Sequence, residues 1–464
     1  MALTDVLVPG NRWDLLAPYP VPHPRVSIVV AHYEQPAQLA RTWAALCAQT
    51  RPPAEVIITD DGSATPPRSP RGGPPVRVVR QDDRGFRAAA ARNLGARHAT
   101  GEVLVFLDAD TVPEPGFVEQ IVRRIAVCPD VLAVGRRRHA DLSGLSPATV
   151  TAWLTGAGAA PPELPEPGWL RDGYRTSRDL LDADGRSFRF VISAVLACRR
   201  ALFADLGGFD ERFVGYGGED WDLAYRAWNA GAVLVHERDA VAWHDGPDWA
   251  GRAADRTRKD AEATRLAALI PEPATRGVAL PGAVPDVLVD LEAGWSLPDT
   301  ARCVHALLGQ THRDLRIRLP GGPDTAALSE LYAGVAGTAA WTPDQLRRAR
   351  IHLRLHRPAA LPPDAVAAAV QRIVCDDLGA VELRSAGATV GTAVSARARG
   401  RARRWAGRLP AATVCAHAFG TGVVELDPGP APRDDLAGFF AAAAEPRPLR
   451  PRPAGAVRGR RRTR

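Results

Sequence analysis

The chain has 464 residues, enough for two or three domains of ordinary size, and its 46% hydrophobic and 24% charged residues exclude a disordered chain. No apolar run reaches the ~18 residues that span a bilayer, and Met1–Pro24 lacks the basic start and apolar stretch of a secretory signal. The formal charge of +7 resides in the tail alone, since Glu445–Arg464 holds eight Arg and one Glu and the remainder is balanced. Cys47, Cys128, Cys198, Cys303, Cys375 and Cys415 are dispersed without a CxxC pair, so they imply neither a zinc site nor a disulfide framework but reduced thiols in a cytosolic protein.

Along the chain, Val26–Ala31 (VSIVVA) is a buried-strand run, and Pro36–Ala48 carries apolar residues at helical spacing. Glu55–Thr59 and Val76–Arg80 read as further strands, Phe86–His98 as an Ala-rich helix with Gly101 as its stop signal, and Val103–Leu107 (VLVFL) as a fourth strand. This β-α-β-α order predicts a mostly parallel sheet covered by helices, where ligands bind at the carboxyl ends of the strands. Asp60-Asp61 follows the second strand and Asp108-Ala109-Asp110 the fourth, so the acidic pairs fall at those ends. Ala159–Gly168 is a Pro-rich loop, and Pro271–Pro285 reads as a linker.

The second half resembles a worn copy of the first. VSIVVAHYEQPAQLARTWAALCAQT from Val26 aligns without a gap to VLVDLEAGWSLPDTARCVHALLGQT from Val287, with identities at Ala40/Ala301, Arg41/Arg302, Leu46/Leu307, Gln49/Gln310 and Thr50/Thr311. Further on, VFLDADTVPEPGFVEQIVRRI resembles LRLHRPAALPPDAVAAAVQRI. In these alignments Asp61 faces Gly322, Asp108 faces His356 and Asp110 faces Pro358: the frame persists and the acids do not. The expected organisation is an extension over 1–24, a first domain over 25–270, a linker over 271–285, a degenerate domain over 286–430 and a Pro/Arg-rich, disordered tail over 431–464. The plain reading of that tail is a solvated arm; the alternative is a weak contact with an anionic surface such as lipid or nucleic acid.

Two carboxylates one residue apart, just past a strand, can present to one divalent cation, which in turn neutralises the phosphates of a diphosphate leaving group. A lone DxD is weak evidence, but here it follows VLVFL and precedes TVPEPGF. VSIVVAHYEQPAQLARTWAALCAQTRPPAEVIITDDGS resembles the opening of glycosyltransferase family 2, and RGFRAAAARNLGARHATGEVLVFLDADTVPEPGF resembles its middle. GGFDERFVGYGGEDWDLAYRAWNAGA resembles the acceptor-side motif of β-galactosyltransferases and bacterial chondroitin-type polymerases. The resemblance runs from about Val26 to Gly246 and implies a GT-A type fold: a nucleotide-binding α/β sheet with helices on both faces, here followed by a second, smaller, degenerate GT-A-like α/β domain.

The resemblance implies these roles. Asp61 would accept a hydrogen bond from the nucleobase, favouring uracil; Tyr33 would stack on it; and Arg84, Arg92 and Asn93 would face the nucleotide. Asp108 would touch the ribose or a metal-bound water, and Asp110 and His244 would bind Mn²⁺ or Mg²⁺. Gly217 and Gly218 let a loop pass close to a bound sugar, and Trp221, Trp243 and Trp249 would offer flat faces to an acceptor ring. Asp220 would be the general base that takes the acceptor proton, with Glu219 binding donor or acceptor sugar. Related retaining enzymes carry Asn at the base position, so Asp220 favours inversion. Taken singly, Asp60-Asp61-Gly62 is a turn and Glu219-Asp220 a helix start; it is their ordered combination that points to a site.

The expected function is therefore an inverting, metal-dependent transfer of a hexose or N-acetylhexosamine from a UDP-sugar to a hydroxyl of a glycan or small molecule, in the cytoplasm or peripherally at a membrane. The alternatives are a two-domain glycan polymerase and a non-catalytic glycan-binding partner of another transferase. The absence of acids at Gly322, His356 and Pro358 and of a second GGED motif argues against the polymerase.

Overall fold

The structure is a computed structural model and describes residues 5–247, 256–277, 283–427 and 435–444. Of the tail reading over 431–464, residues 431–434 and 445–464 lie outside these residues, as does Trp249, whereas Leu436–Ala444, expected to be disordered, form a helix. In the first half, strands β1 (Val26–His32), β2 (Glu55–Asp60), β3 (Val76–Arg80), β4 (Val103–Asp108), β5 (Thr111–Pro113), β6 (Val131–Ala140), β7 (Glu163–Leu164), β8 (Val195–Arg199) and β9 (Val233–Asp245) form one nine-stranded sheet. Helices α1 (Pro36–Cys47), α2 (Ala88–His98), α3 (Phe117–Val122), α4 (Pro147–Leu154), α5 (Gly168–Thr176), α6 (Arg200–Leu206) and α7 (Glu219–Asn229) connect them. The strand order is β3-β2-β1-β4-β8-β6-β9-β5, with β1 to β4 mutually parallel and β8 antiparallel to both its neighbours.

Ile28, Val29 and Val30 are consecutive and all fully buried, which a strand achieves only when both sheet faces are covered. Helix α2 approaches β1 and β2 closely because Gly95 has no side chain; a Cβ there would lie 2.4 Å from Val29 Cγ1. The chain steps from β1 to β2 and β3 in one direction, then returns to place β4 on the other side of β1. That reversal opens a crevice at the carboxyl ends of β1 and β4, where Asp108 and Asp110 stand.

After α8 (Arg256–Leu269) and α9 (Pro273–Arg276), a second, seven-stranded sheet is built from β10 (Val287–Leu291), β11 (Leu315–Arg318), β12 (Ala336–Gly337), β13 (Ile351–Leu355), β14 (Ala380–Ser385), β15 (Ala388–Ser395) and β16 (Thr421–Leu426). Its helices include α10 (Leu297–Leu308), α11 (Pro323–Leu331), α12 (Pro343–Arg348), α13 (Ala365–Cys375) and α14 (Ala396–Arg404). The repeat reading extends to single hydrogen bonds. Gln49 donates to Ala45 O and Glu114 O and accepts from Val118 N; Gln310 donates to Ala306 O and Pro362 O and accepts from Val366 N. Like β1 between β2 and β4, β10 pairs in parallel with β11 and β13.

Two expectations change. The segment before β1 is no loose extension: Asn11 donates to Leu180 O and Leu234 O, and Arg401 donates to Val8 O and Gly10 O. The described part of the linker is pinned as well, since Arg276 bonds Ala267 O, Val284 O and Asp314. Both follow from satisfying buried polar groups, a demand that composition alone does not reveal.

Candidate active site

One end of the crevice begins at β2. Asp61 is buried and accepts from Gln81 Nε2 at 2.5 Å and from the Arg87 backbone N–H at 2.8 Å. Burial raises its pKa, partly offset by these two donors. Tyr33, after β1, is exposed, with its hydroxyl 3.5 Å from Asp83. Arg84 does not join this group: it is exposed and pairs with Asp82 at 3.2 Å. Asn93 is also committed elsewhere. Its side chain donates to Phe209 O and Glu211 and accepts from Phe209 N–H, locking α2 to the turn after α6.

Arg92 is the junction of the site. Its guanidinium, 4% exposed, donates to Asp108 Oδ1 at 2.7 Å and to Glu219 Oε1 at 3.0 Å, joining the end of β4 to the first turn of α7. Burial alone would lower its pKa, but the charges of Asp108 and Glu219 outweigh that and raise it. Asp108 is therefore held toward Arg92 and is not grouped with Asp110 and His244 as a cation ligand.

β5 and β9 pair so that Thr111 lies opposite His244, which brings His244 Nε2 to 3.6 Å from Asp110 Oδ2. His244 Nδ1 is 3.2 Å from Gly246 O, a carbonyl to which it can only donate, so the neutral ring carries its lone pair on Nε2, facing the carboxylate. Two lone pairs in opposition repel unless a proton or a metal ion lies between them. A divalent ion about 2.1 Å from each ligand fits that separation. Asp110 also accepts from Gln35 Nε2 at 3.0 Å; burial raises its pKa, with the His244 charge opposing. Among the described residues no group of three or more His, Cys, Asp or Glu side chains is arranged to hold a metal, so this pair would leave the remaining coordination to diphosphate and water oxygens.

At the other end, Gly215, Gly217 and Gly218 have φ of 95°, 94° and 92°, a backbone that side chains rarely adopt. A Cβ on Gly218 would lie 2.7 Å from Phe213 Cε1, and one on Gly217 would lie 2.9 Å from the Glu262 carboxyl group on α8. The loop delivers Glu219 and Asp220 to the start of α7. Burial, reinforced by the neighbouring Glu219 charge, pushes the Asp220 carboxyl up to about 7, with Arg92 pulling it down. Trp221 is half-buried and edge-on to Trp169, ring centroids 6.3 Å apart, with Trp169 exposed. Trp243 is not an acceptor face. Strand alternation turns it away from His244 into a cluster with Val112, Leu142 and Val150, where it donates to Glu114 at 2.9 Å under the Arg138 guanidinium.

Several contributors went unread in the sequence. Gln35 and Gln81 stand just past strand ends, where the same rule that marked the aspartates applies. His139 is brought beside His244 (ring centroids 4.9 Å) by β6–β9 pairing, and Glu262 by the docking of α8. No local pattern marks either.

The family model for glycosyl transferase family 2 matches residues 27–204, and that for the N-terminal domain of galactosyltransferase matches residues 185–237. Residues 27–204 are therefore similar to a family 2 glycosyltransferase domain. The matched stretch holds Asp61, Arg92, Asp108 and Asp110, and the galactosyltransferase match carries on through Glu219 and Asp220. The chain is 31% identical over 255 residues to hyaluronan synthase of Pasteurella multocida, covering 50% of this chain and 26% of the synthase. It is 29% identical over 318 residues to chondroitin synthase of Escherichia coli, covering 63% and 46%. With validoxylamine A glucosyltransferase of Streptomyces hygroscopicus subsp. limoneus it shares 30% identity over 236 residues, covering 47% and 51%. The matches thus span between about a quarter and a half of these relatives' own lengths.

Proposed function

We propose that this chain transfers a hexose or N-acetylhexosamine from a UDP-sugar to a hydroxyl of a carbohydrate or small molecule, with inversion and with the help of a divalent cation. The observation that carries this reading is Arg92, which joins the donor-side Asp108 to the acceptor-side Glu219 in one buried network. Asp61 would receive the uracil N3–H, with Tyr33 against the base. Asp110 and His244 would hold Mn²⁺ or Mg²⁺, which supplies charge neutralisation to the departing diphosphate. Asp220, with a carboxyl pushed up to about 7, suits a base that must take a hydroxyl proton near neutral pH. Glu219, anchored by Arg92, would position a sugar hydroxyl beside it; Gly217 and Gly218 face Glu262 and Phe213, so their part is to let the loop turn.

The named relatives include two polysaccharide synthases and a glucosyltransferase of a small molecule, which supports an acceptor of either kind. A second transfer site in the second sheet is not favoured, since His356 at the end of β13 is spent on Glu292 and Thr392. The test is a panel of nucleotide sugars incubated with the purified chain and Mn²⁺, reading released UDP. Release should require the metal, vanish on chelation, and fall at least about 100-fold in Asp110→Ala. Undiminished release by Asp110→Ala would remove the metal from the reading.

A further inference from the structure

Between the two sheets lies a cavity of 410 Å³ that the transfer chemistry does not use. It opens to solvent and is bordered by the last turns of α6 and α7 from the first half and by α12 and α14 from the second. Four guanidinium groups line it, those of Arg226, Arg347, Arg399 and Arg403, against one carboxylate, Asp205. Two of the four are already neutralised: Arg226 pairs with Asp222 at 2.7 Å, and Arg403 holds both oxygens of Asp205 at 2.8 and 2.9 Å.

The other two are not. Arg399 donates to Nδ1 of His352 at 2.6 Å and to Leu346 O at 3.4 Å, both neutral acceptors; His352 keeps its own Nε2–H on Asp290. Its Nε is buried without a hydrogen-bond partner. Burial and the nearby Arg403 charge lower its pKa, and the Asp290 charge, reached only across His352, opposes this in part. The Arg347 guanidinium lies over Gly207, where a Cβ would be 3.3 Å from Nη1; the residue is exposed and forms no ion pair among the described residues.

We propose that this cavity binds a small organic phosphate monoester, with Arg347 and Arg399 as its anchors. A carboxylate carries one charge, whereas a phosphate monoester offers three oxygens and up to two charges and can accept two guanidinium forks together. The cavity falls in the range of small-ligand sites, so an inorganic ion would leave most of it unfilled. Leu206, Pro343 and Leu346 supply apolar walls for the organic part.

The experiment is isothermal titration calorimetry of the full chain with glucose 6-phosphate and with inorganic phosphate, in buffer containing a chelator so that no divalent ion assists binding elsewhere. The expected result is saturable one-site binding, tighter for the ester, and weakened about tenfold by Arg347→Ala and by Arg399→Gln. Asp110→Ala should leave it unchanged, which separates this cavity from the donor crevice. Arg347 is exposed, so Arg347→Ala carries the test even where Arg399→Gln disturbs folding. No saturable binding of either probe up to ~10 mM, equal affinity for the two probes, unaltered affinity in Arg347→Ala, or loss of binding in Asp110→Ala would each overturn the proposal.

Discussion

Among the side chains of the crevice, Asp220 combines the clearest physical perturbation with the clearest proposed role. Its carboxyl, ordinarily near 3.8, is pushed up to about 7 by burial and by Glu219. A base acts only when deprotonated, so transfer should rise through about pH 7 and level off above it. Asp220→Asn should lose transfer while UDP affinity, set at the other end of the crevice, stays largely intact; transfer at the normal rate in that variant would sink the base assignment. The same shift has a stability consequence. The folded chain holds this proton more tightly than the unfolded chain, so the stability it contributes is complete below about pH 4 and lost as pH rises through about 7. Asp220→Asn stays neutral throughout, so its Tm measured against the parent should improve from pH 5 to about pH 8. An unchanged difference across that range would mean that the carboxyl is not desolvated.

At the scale of an element, α7 is the part on which both halves converge. Its first turn presents Glu219 and Asp220, while its other side is gripped from the second sheet. Arg348, 1% exposed, contacts Asp222, Asp210 at 2.8 Å and Asp344 at 2.6 Å; Tyr225 donates to Arg348 O and Asn229 to Arg347 O and Ala349 O. Arg348→Ala breaks a buried network and should cost about 3 kcal/mol in denaturant unfolding. It should also lower transfer more than it lowers UDP affinity, because the residues proposed to bind the donor stand on other elements. A loss below about 0.5 kcal/mol would show that the cluster contributes little beyond surface pairing. Gly218→Ala forces a side chain into left-handed backbone against Phe213 and should cost ~1–3 kcal/mol by the same measurement; a neutral result would mean that the loop relaxes freely.

For the whole molecule, the second sheet acts as a support for α7 in this reading, without donor chemistry of its own. Residues 283–444 expressed alone should bind no UDP with or without Mn²⁺ by calorimetry; tight, metal-dependent binding would restore the two-site polymerase. Much of this was legible in the chain. The apolar runs of β1 and β4 and the turn signals between them follow from local propensity and periodicity, which is why the parallel order and the strand-end aspartates could be placed. The repeat was legible because its two halves keep the same buried glutamine at Gln49 and Gln310 for the same backbone groups. Tertiary structure alone decided that Asn93 ties off Phe209, that Trp243 faces inward beside Arg138, that Asp108 turns to Arg92, and that Glu262 covers Gly217. The division has one cause: periodicity reports which face of an element is buried, whereas a polar side chain takes the nearest complementary group, and that group is fixed only once distant segments have packed.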